Sequence, residues 1–261
     1  MIKFSIPAKK IAIVLGIIAV CLAAASITGQ YYKINGGENE FLLKIVEKVD
    51  LDQEINNLPT WFQSSLLMLC SFLLTITALI RHEIKDKGIR FWGFLAFIFL
   101  YLSLDEAVSI HEQAAVPLRA LFHSHGLLFF GWVIPAILLV GLFFVWSLKF
   151  LRNLPARVSW LFIIAGVVYV VGALGMEMIG ASYYEKFIET HNHIVDLNYT
   201  LLTTFEESLE MIGLTIFAFA LLDHLGSDAV LEINVKMEKT VETRNRRIDF
   251  GKPAAVGFRT K

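Results

Sequence analysis

Basic side chains are almost absent from the apolar stretches of this sequence. Six runs are long enough to cross a bilayer, and the only Lys or Arg inside them is Lys149. An acid placed in those runs has no built-in countercharge. Cysteine is scarce too: Cys21 and Cys70 both sit in apolar runs, which argues against a disulfide framework and a Cys-x-x-Cys metal pair. No internal repeat or low-complexity tract is present, whereas coupled transporters are often built from repeats. The formal net charge is −1, so no basic footprint points to a nucleic-acid partner.

What is present is apolar. The chain is 56% hydrophobic, above the roughly 45–50% of ordinary soluble domains. The expected spans are Ile11–Gly29, Trp61–Ile80, Phe91–Glu112, Leu127–Phe150, Val158–Gly180 and Thr200–Leu225, each about the 20 residues a bilayer core requires. This predicts an all-α polytopic membrane protein: a six-helix transmembrane domain over residues 1–225 and a polar tail over 226–261. Lys9 and Lys10, the group Arg81 to Arg90, the group Lys149 to Arg157 and the basic tail all fall on one side. The positive-inside rule makes that side cytoplasmic, with both termini inside. The bacterial cytoplasmic membrane is the expected location. Lys3, Lys9 and Lys10 before an apolar core, with Ala23-Ala24-Ala25 after it, resemble a signal peptide. The run is long enough to span, so it reads as a retained anchor.

In the first outer loop Phe41, Leu42, Ile45, Val46 and Val49 recur at helical spacing, predicting a short amphipathic helix on the outer surface. Pro59 before Trp61 marks the start of the second span, which carries no charge and reads as scaffold. Pro135 is a candidate kink in the fourth span. Gly166, Gly172, Gly175 and Gly180 in the fifth read as close-packing positions.

Charge returns in Leu-Ser-Leu-Asp105-Glu106-Ala-Val-Ser-Ile-His111-Glu112, at the end of the third span. Glu177 lies in the fifth span, and Glu206, Glu207 and Glu210 lie in the sixth. Counting about 1.5 Å per residue puts all of these in the outer half of the bilayer or at its midplane. On a continuous helix Asp105, Ser109 and Glu112 share one face, and Glu206, Glu207 and Glu210 fall within about 100° of arc. An acid at mid-membrane costs about 2.5–3.5 kcal/mol, so six unpaired ones would cost roughly 15–20 kcal/mol. Protons, histidine, water or metal cations must offset that. Five of the seven histidines lie on the outer side, including the His-x-His pairs His123/His125 and His191/His193. Singly, these and Glu112 also fit solvated residues at helix mouths, and His82 and His224 fit structural roles at the inner interface.

Asp105, Glu106, His111, Glu112, Glu177, Glu206, Glu207 and Glu210 are therefore the candidate metal ligands. Carboxylate with imidazole suits Fe, Mn or Zn, and copper only where imidazoles dominate. Soluble di-iron bundles use Glu-x-x-His pairs; none occurs here, since Glu106 precedes His111 by five residues.

The pairing of Leu-Ser-Leu-Asp-Glu-Ala-Val-Ser-Ile-His-Glu with Phe-Glu-Glu-Ser-Leu-Glu-Met-Ile-Gly, together with Leu51-Asp52 and Pro59-Thr60-Trp61-Phe62, resembles a widespread family of bacterial multipass membrane proteins. The resemblance covers about residues 50–225 and implies the multipass fold, with no activity to transfer. Membrane ceramidase-like hydrolases use Ser, Asp and several His around zinc. This chain has too few intramembrane histidines for their pattern.

Three functions compete. A membrane-embedded metalloenzyme would act on a lipid-like or quinone-like substrate, as an oxidoreductase or hydrolase. A proton- or cation-coupled transporter would use the same acids as a relay. An accessory subunit would dock partner membrane subunits through the outer loop and tail.

Overall fold

The computed structural model describes residues 7–51, 57–86, 88–188 and 196–249, with the backbone alone for 227–249. Among the described residues nine α-helices follow one another: α1 Ala8–Ile34, α2 Glu40–Val49, α3 Leu58–Glu83, α4 Ile89–Val108, α5 Ile110–Phe122, α6 Val133–Leu151, α7 Ala156–Val170, α8 Glu177–Tyr183 and α9 Leu197–Asp249. No strand occurs among the described residues. The helical segments long and apolar enough to span are Ala8–Ile34, Leu58–Glu83, Ile89–Val108, Val133–Leu151, Ala156–Phe187 and Leu197–Gly226. The protein is a multipass membrane protein. Its lipid-facing surface is apolar, as at Ile17, Val20, Leu138, Leu142 and Val145. Lipid contact leaves apolar side chains no incentive to hide, so packing and hydrogen bonds hold the helices together.

Helices α3 and α4 show this directly. Ser64 donates its hydroxyl to the Ser103 carbonyl, and Ser103 donates back to the Ser64 carbonyl, each at 2.8 Å. One layer further on, Ser71 donates to the Ala96 carbonyl at 2.8 Å. Small hydroxyl residues let the backbones approach and satisfy polar groups where no water competes. Aromatic packing closes the other end of α4. Trp92 is buried edge-on to Phe150 and Phe162, and Phe91 stacks on Phe150 with ring centroids 3.9 Å apart.

The amphipathic helix forms as α2. Asn39 caps it by accepting the Leu42 N–H. Val46 is buried against Gly29 of α1, where an added Cβ would meet both Val46 methyls at 3.0 Å. The Gln30 amide donates to Asp50, and Ser26 Oγ accepts the Leu51 N–H. Phe41, Leu42 and Ile45 stay exposed, as an interfacial helix requires.

Several expectations change. Asn57 caps α3 by accepting the Thr60 N–H at 2.7 Å, so that helix starts three residues before Trp61. Pro135 falls in the first turn of α6, where its missing N–H breaks no helical bond. The fifth span is continuous but not uniform. It runs through π-helical turns at Val171–Met176 and Tyr184–Ile188. Of its four glycines only Gly172 is a close packing contact. Helix α9 continues beyond the sixth span into the polar tail, to Asp249, through a run rich in helix-favouring Leu, Glu, Lys and Met.

The chain divides into two compact units, Pro7–Leu222 and a second that includes α9 from Asp223 onward. Truncation after Gly226 is therefore expected to leave membrane insertion and thermal unfolding of the bundle intact. A truncated chain that no longer fractionates with membranes would contradict this.

Candidate functional site

The third predicted span does not run through to Glu112. It breaks at Ser109, which is left-handed (φ 52°, ψ 50°). The reason is local: Asp105 acts as the cap of the next helix. Its Oδ1 accepts the His111 backbone N–H at 2.9 Å, and its Oδ2 pairs with His111 Nδ1 at 2.7 Å. One carboxylate thus starts α5 and fixes the imidazole. Asp105, Ser109 and Glu112 do not share a continuous helix face, which corrects the face expected from 100° counting. His111 Nε2 is turned toward Glu112, 3.9 Å from Oε1. Its ring lies against Trp132, with centroids 4.7 Å apart.

Trp132 leads to the next acid. Its indole N–H donates to Glu177 Oε1 at 2.8 Å. Glu177 in turn neighbours Glu206 of α9. On the other side of α9, Glu210 Oε2 accepts from Gln63 Nε2 of α3 at 2.9 Å and also bonds the Tyr169 hydroxyl. The Gln63 amide reaches Glu106 as well. Glu207 lies in the electrostatic field of Glu106, Glu112, Glu177 and Glu210. Asp105 and Glu210 are buried; Glu106, His111, Glu112, Glu177, Glu206 and Glu207 are half-buried. His111 is the basic side chain whose field reaches Glu106, Glu177 and Glu210.

Backbone close approach positions these groups. A Cβ on Gly172 would lie 2.9 Å from the Glu206 carbonyl oxygen and 3.0 Å from Glu210 Cγ. A Cβ on Gly213 would lie 2.8 Å from Tyr169 N and 2.9 Å from the Ala165 carbonyl oxygen. The two glycines bring the fifth span and α9 together on either side of Tyr169 and Glu210. Gly172 opens a π-helical turn, and Glu177 is the first residue after it. An extra residue per turn shifts the register of everything that follows, and such turns are frequent at functional sites.

Three partners escaped the sequence reading. Gln63 sits in α3, taken for plain scaffold, yet it is 1% exposed and bonds Glu210. A lone amide in an apolar span was the available signal. Trp132 and Tyr169 looked like ordinary aromatics, and only their polar tips reveal the role. Of the His-x-His pairs, His125 pairs with Glu185 at 2.9 Å. His191 and His193 lie outside the described residues. Nearby, burial opposes the charge of Asp196, but bonds from the Tyr183 hydroxyl and the Tyr199 N–H outweigh it and hold that carboxyl below the usual range.

Among the described residues, no group of three His, Cys, Asp or Glu side chains is placed to hold one metal ion. The acids meet in pairs and through Gln63, Trp132 and Tyr169, not around a common point. No curated protein and no solved structure matches the chain. A family model described as a domain of unknown function, DUF8692, matches residues 11–225, and the chain belongs to that family.

Proposed function

We propose that this is a membrane-embedded cation-binding protein, with its acids taking a divalent metal of the Fe, Mn or Zn class. The observation that carries the reading is charge imbalance. Asp105, Glu106, Glu112, Glu177, Glu206, Glu207 and Glu210 are linked by pairwise contacts or electrostatic fields, with His111 as their basic partner. Carboxylates this close repel one another unless protons or cations lie between them. The donor chemistry, hard carboxylate oxygens with one imidazole, suits those metals. Gln63 Oε1, buried beside Glu210, makes no hydrogen bond among the described residues and is a further oxygen donor. Because the acids stand in pairs, metal uptake requires Glu206, Glu207 and Glu210 to change rotamer. A metal held there would act as a Lewis acid or activate water, in reach of a lipid-like or quinone-like substrate. Elemental analysis of the purified protein tests the reading: a stoichiometric metal is expected, and its absence after metal-supplemented expression would refute it.

One observation favours a second reading. Glu206 stands beside Glu177, Glu207 and Glu210, and carboxyls so crowded favour bound protons over charge. Proton-carrying acids would make this a relay, as in a proton- or cation-coupled transporter. In an accessory subunit the same cluster would be structural, with α2 and the tail as docking elements.

The proposed location is the bacterial cytoplasmic membrane, with both termini inside. Cysteines replacing Asn35 and Asn192 are expected to react with an impermeant reagent applied from outside. Labelling of either only after permeabilisation would reverse the orientation.

A further inference from the structure

A cavity of about 340 Å³ lies where α5 ends, with Arg119, His123, Ser124, His125, Phe129 and Glu185 in its lining. Two backbone reversals build it. His123 is left-handed (φ 48°) and stops the helix; the chain then turns at Gly126 (φ 61°). The charges around the cavity are already engaged. Glu185 accepts the Gly126 N–H at 2.6 Å and pairs with His125 Nδ1 at 2.9 Å. Arg119 lies over the Phe129 ring, 4.1 Å from its centroid, and has a further interaction besides. A charged ligand would have to displace these contacts; a neutral one leaves them in place.

The feature that points to a ligand is neutral. Ser124 is 6% exposed, yet its Oγ has no hydrogen-bond partner among the described residues. A buried hydroxyl that lines a cavity and lacks a partner is a donor awaiting an acceptor. The His123 ring lines the same cavity and carries an N–H in either neutral tautomer. Phe129 adds an aromatic side to the lining. The volume is at the small end of ligand pockets, which run from about 300 to 1,000 Å³, so it suits a single ring with any long tail left outside. Beside it, Val116, Leu121, Phe122 and Leu127 are exposed and apolar. Helix α5 joins two spans, so these residues offer a tail a surface at the membrane interface.

We propose that this cavity binds the head of a quinone, with a ring carbonyl accepting the Ser124 hydroxyl, His123 as second donor and the tail along the exposed residues of α5. A quinone is neutral and flat, its polar atoms are carbonyl acceptors, and its tail is apolar. None of the candidate metal ligands lines the cavity. Binding is therefore expected with or without metal, and its failure would leave the metal reading standing. The test is calorimetric, on the full chain in neutral detergent, with three probes: a decyl-substituted benzoquinone, decylbenzene and dioctanoylglycerol. Wild type is expected to bind the quinone about tenfold more tightly than decylbenzene, the worth of one or two neutral hydrogen bonds. Ser124→Ala should remove most of that preference and leave decylbenzene binding unchanged. No preference in wild type, or a preference that persists in Ser124→Ala, overturns the proposal. Dioctanoylglycerol that binds as tightly as the quinone would identify an acyl-ester site and overturn the quinone assignment. Should Ser124→Ala fail to fold, a photoactivatable quinone on wild type decides. Cross-linking within residues 116–129 supports the site, and labelling confined elsewhere overturns it.

Discussion

Glu207→Gln and Glu210→Gln are each expected to empty the membrane of its proposed metal and to lower the melting temperature, and chelation of the wild type should do the same. Gln keeps the volume of Glu and removes the charge. A cation loses an anionic ligand, while a proton-neutralised acid loses almost nothing, because Gln imitates a protonated carboxyl. Glu210 is the more informative position. It is buried and accepts the Gln63 amide at 2.9 Å; bonds to a charged acceptor contribute about 1.5–3 kcal/mol. For a chain of this size that corresponds to roughly 3–10 °C. Glu207 is bound to the others by field more than by contact, so its loss should show mainly in metal content. A melting temperature unmoved by both substitutions and by chelation, with no metal by elemental analysis, would leave the proton relay standing and remove the metal.

How far this could be read from sequence depends on what sets each feature. The spans were legible because twenty apolar residues in a row have few other uses. Phe41 to Val49 were legible because a 3.6-residue period is a one-dimensional signal, and α2 follows it. Register within a span was not. Counting at 100° per residue assumes an unbroken α-helix; the left-handed Ser109 defeated it in the third span, and the π turn at Val171–Met176 breaks the same assumption in the fifth. The first is a local side-chain choice and the second a tertiary one. Asp105 caps α5 only because His111 can fold back onto it, and Gly172 starts a wide turn where α9 presses on it. The acids stood out because charge in an apolar run is costly. Gln63, Trp132 and Tyr169 did not, because a neutral polar tip on a large side chain is cheap enough to be ordinary. The identity of what the acids neutralise leaves no mark on the chain, since a proton and a metal ask for the same residues.

Gly172→Ala and Gly213→Ala are expected to destabilise the bundle and to disturb the acids together. At Gly172 the new methyl would sit 2.9 Å from the Glu206 carbonyl oxygen, and at Gly213 it would sit 2.8 Å from Tyr169 N. Both obstacles are backbone, so the helices must separate; overpacking of this kind costs about 1–3 kcal/mol, or roughly 3–10 °C for each variant. Gly166→Ala is the internal control. Nothing lies within 4 Å of its Cβ position in the same helix, and Ala favours helix over Gly by up to about 1 kcal/mol. That variant should be neutral or more stable. Separation of α7 from α9 also stretches the Tyr169–Glu210 bond, so tyrosine absorbance or fluorescence should shift in both destabilised variants and stay fixed in the control. Once one glycine has forced the helices apart, the second methyl finds space already made. The double variant should therefore lose less stability than the two singles added, the non-additivity expected of residues acting on one contact. Strict additivity would mean that the two glycines do not serve a common α7–α9 approach, and the account of how Glu177, Glu206 and Glu210 are brought together would fail with it.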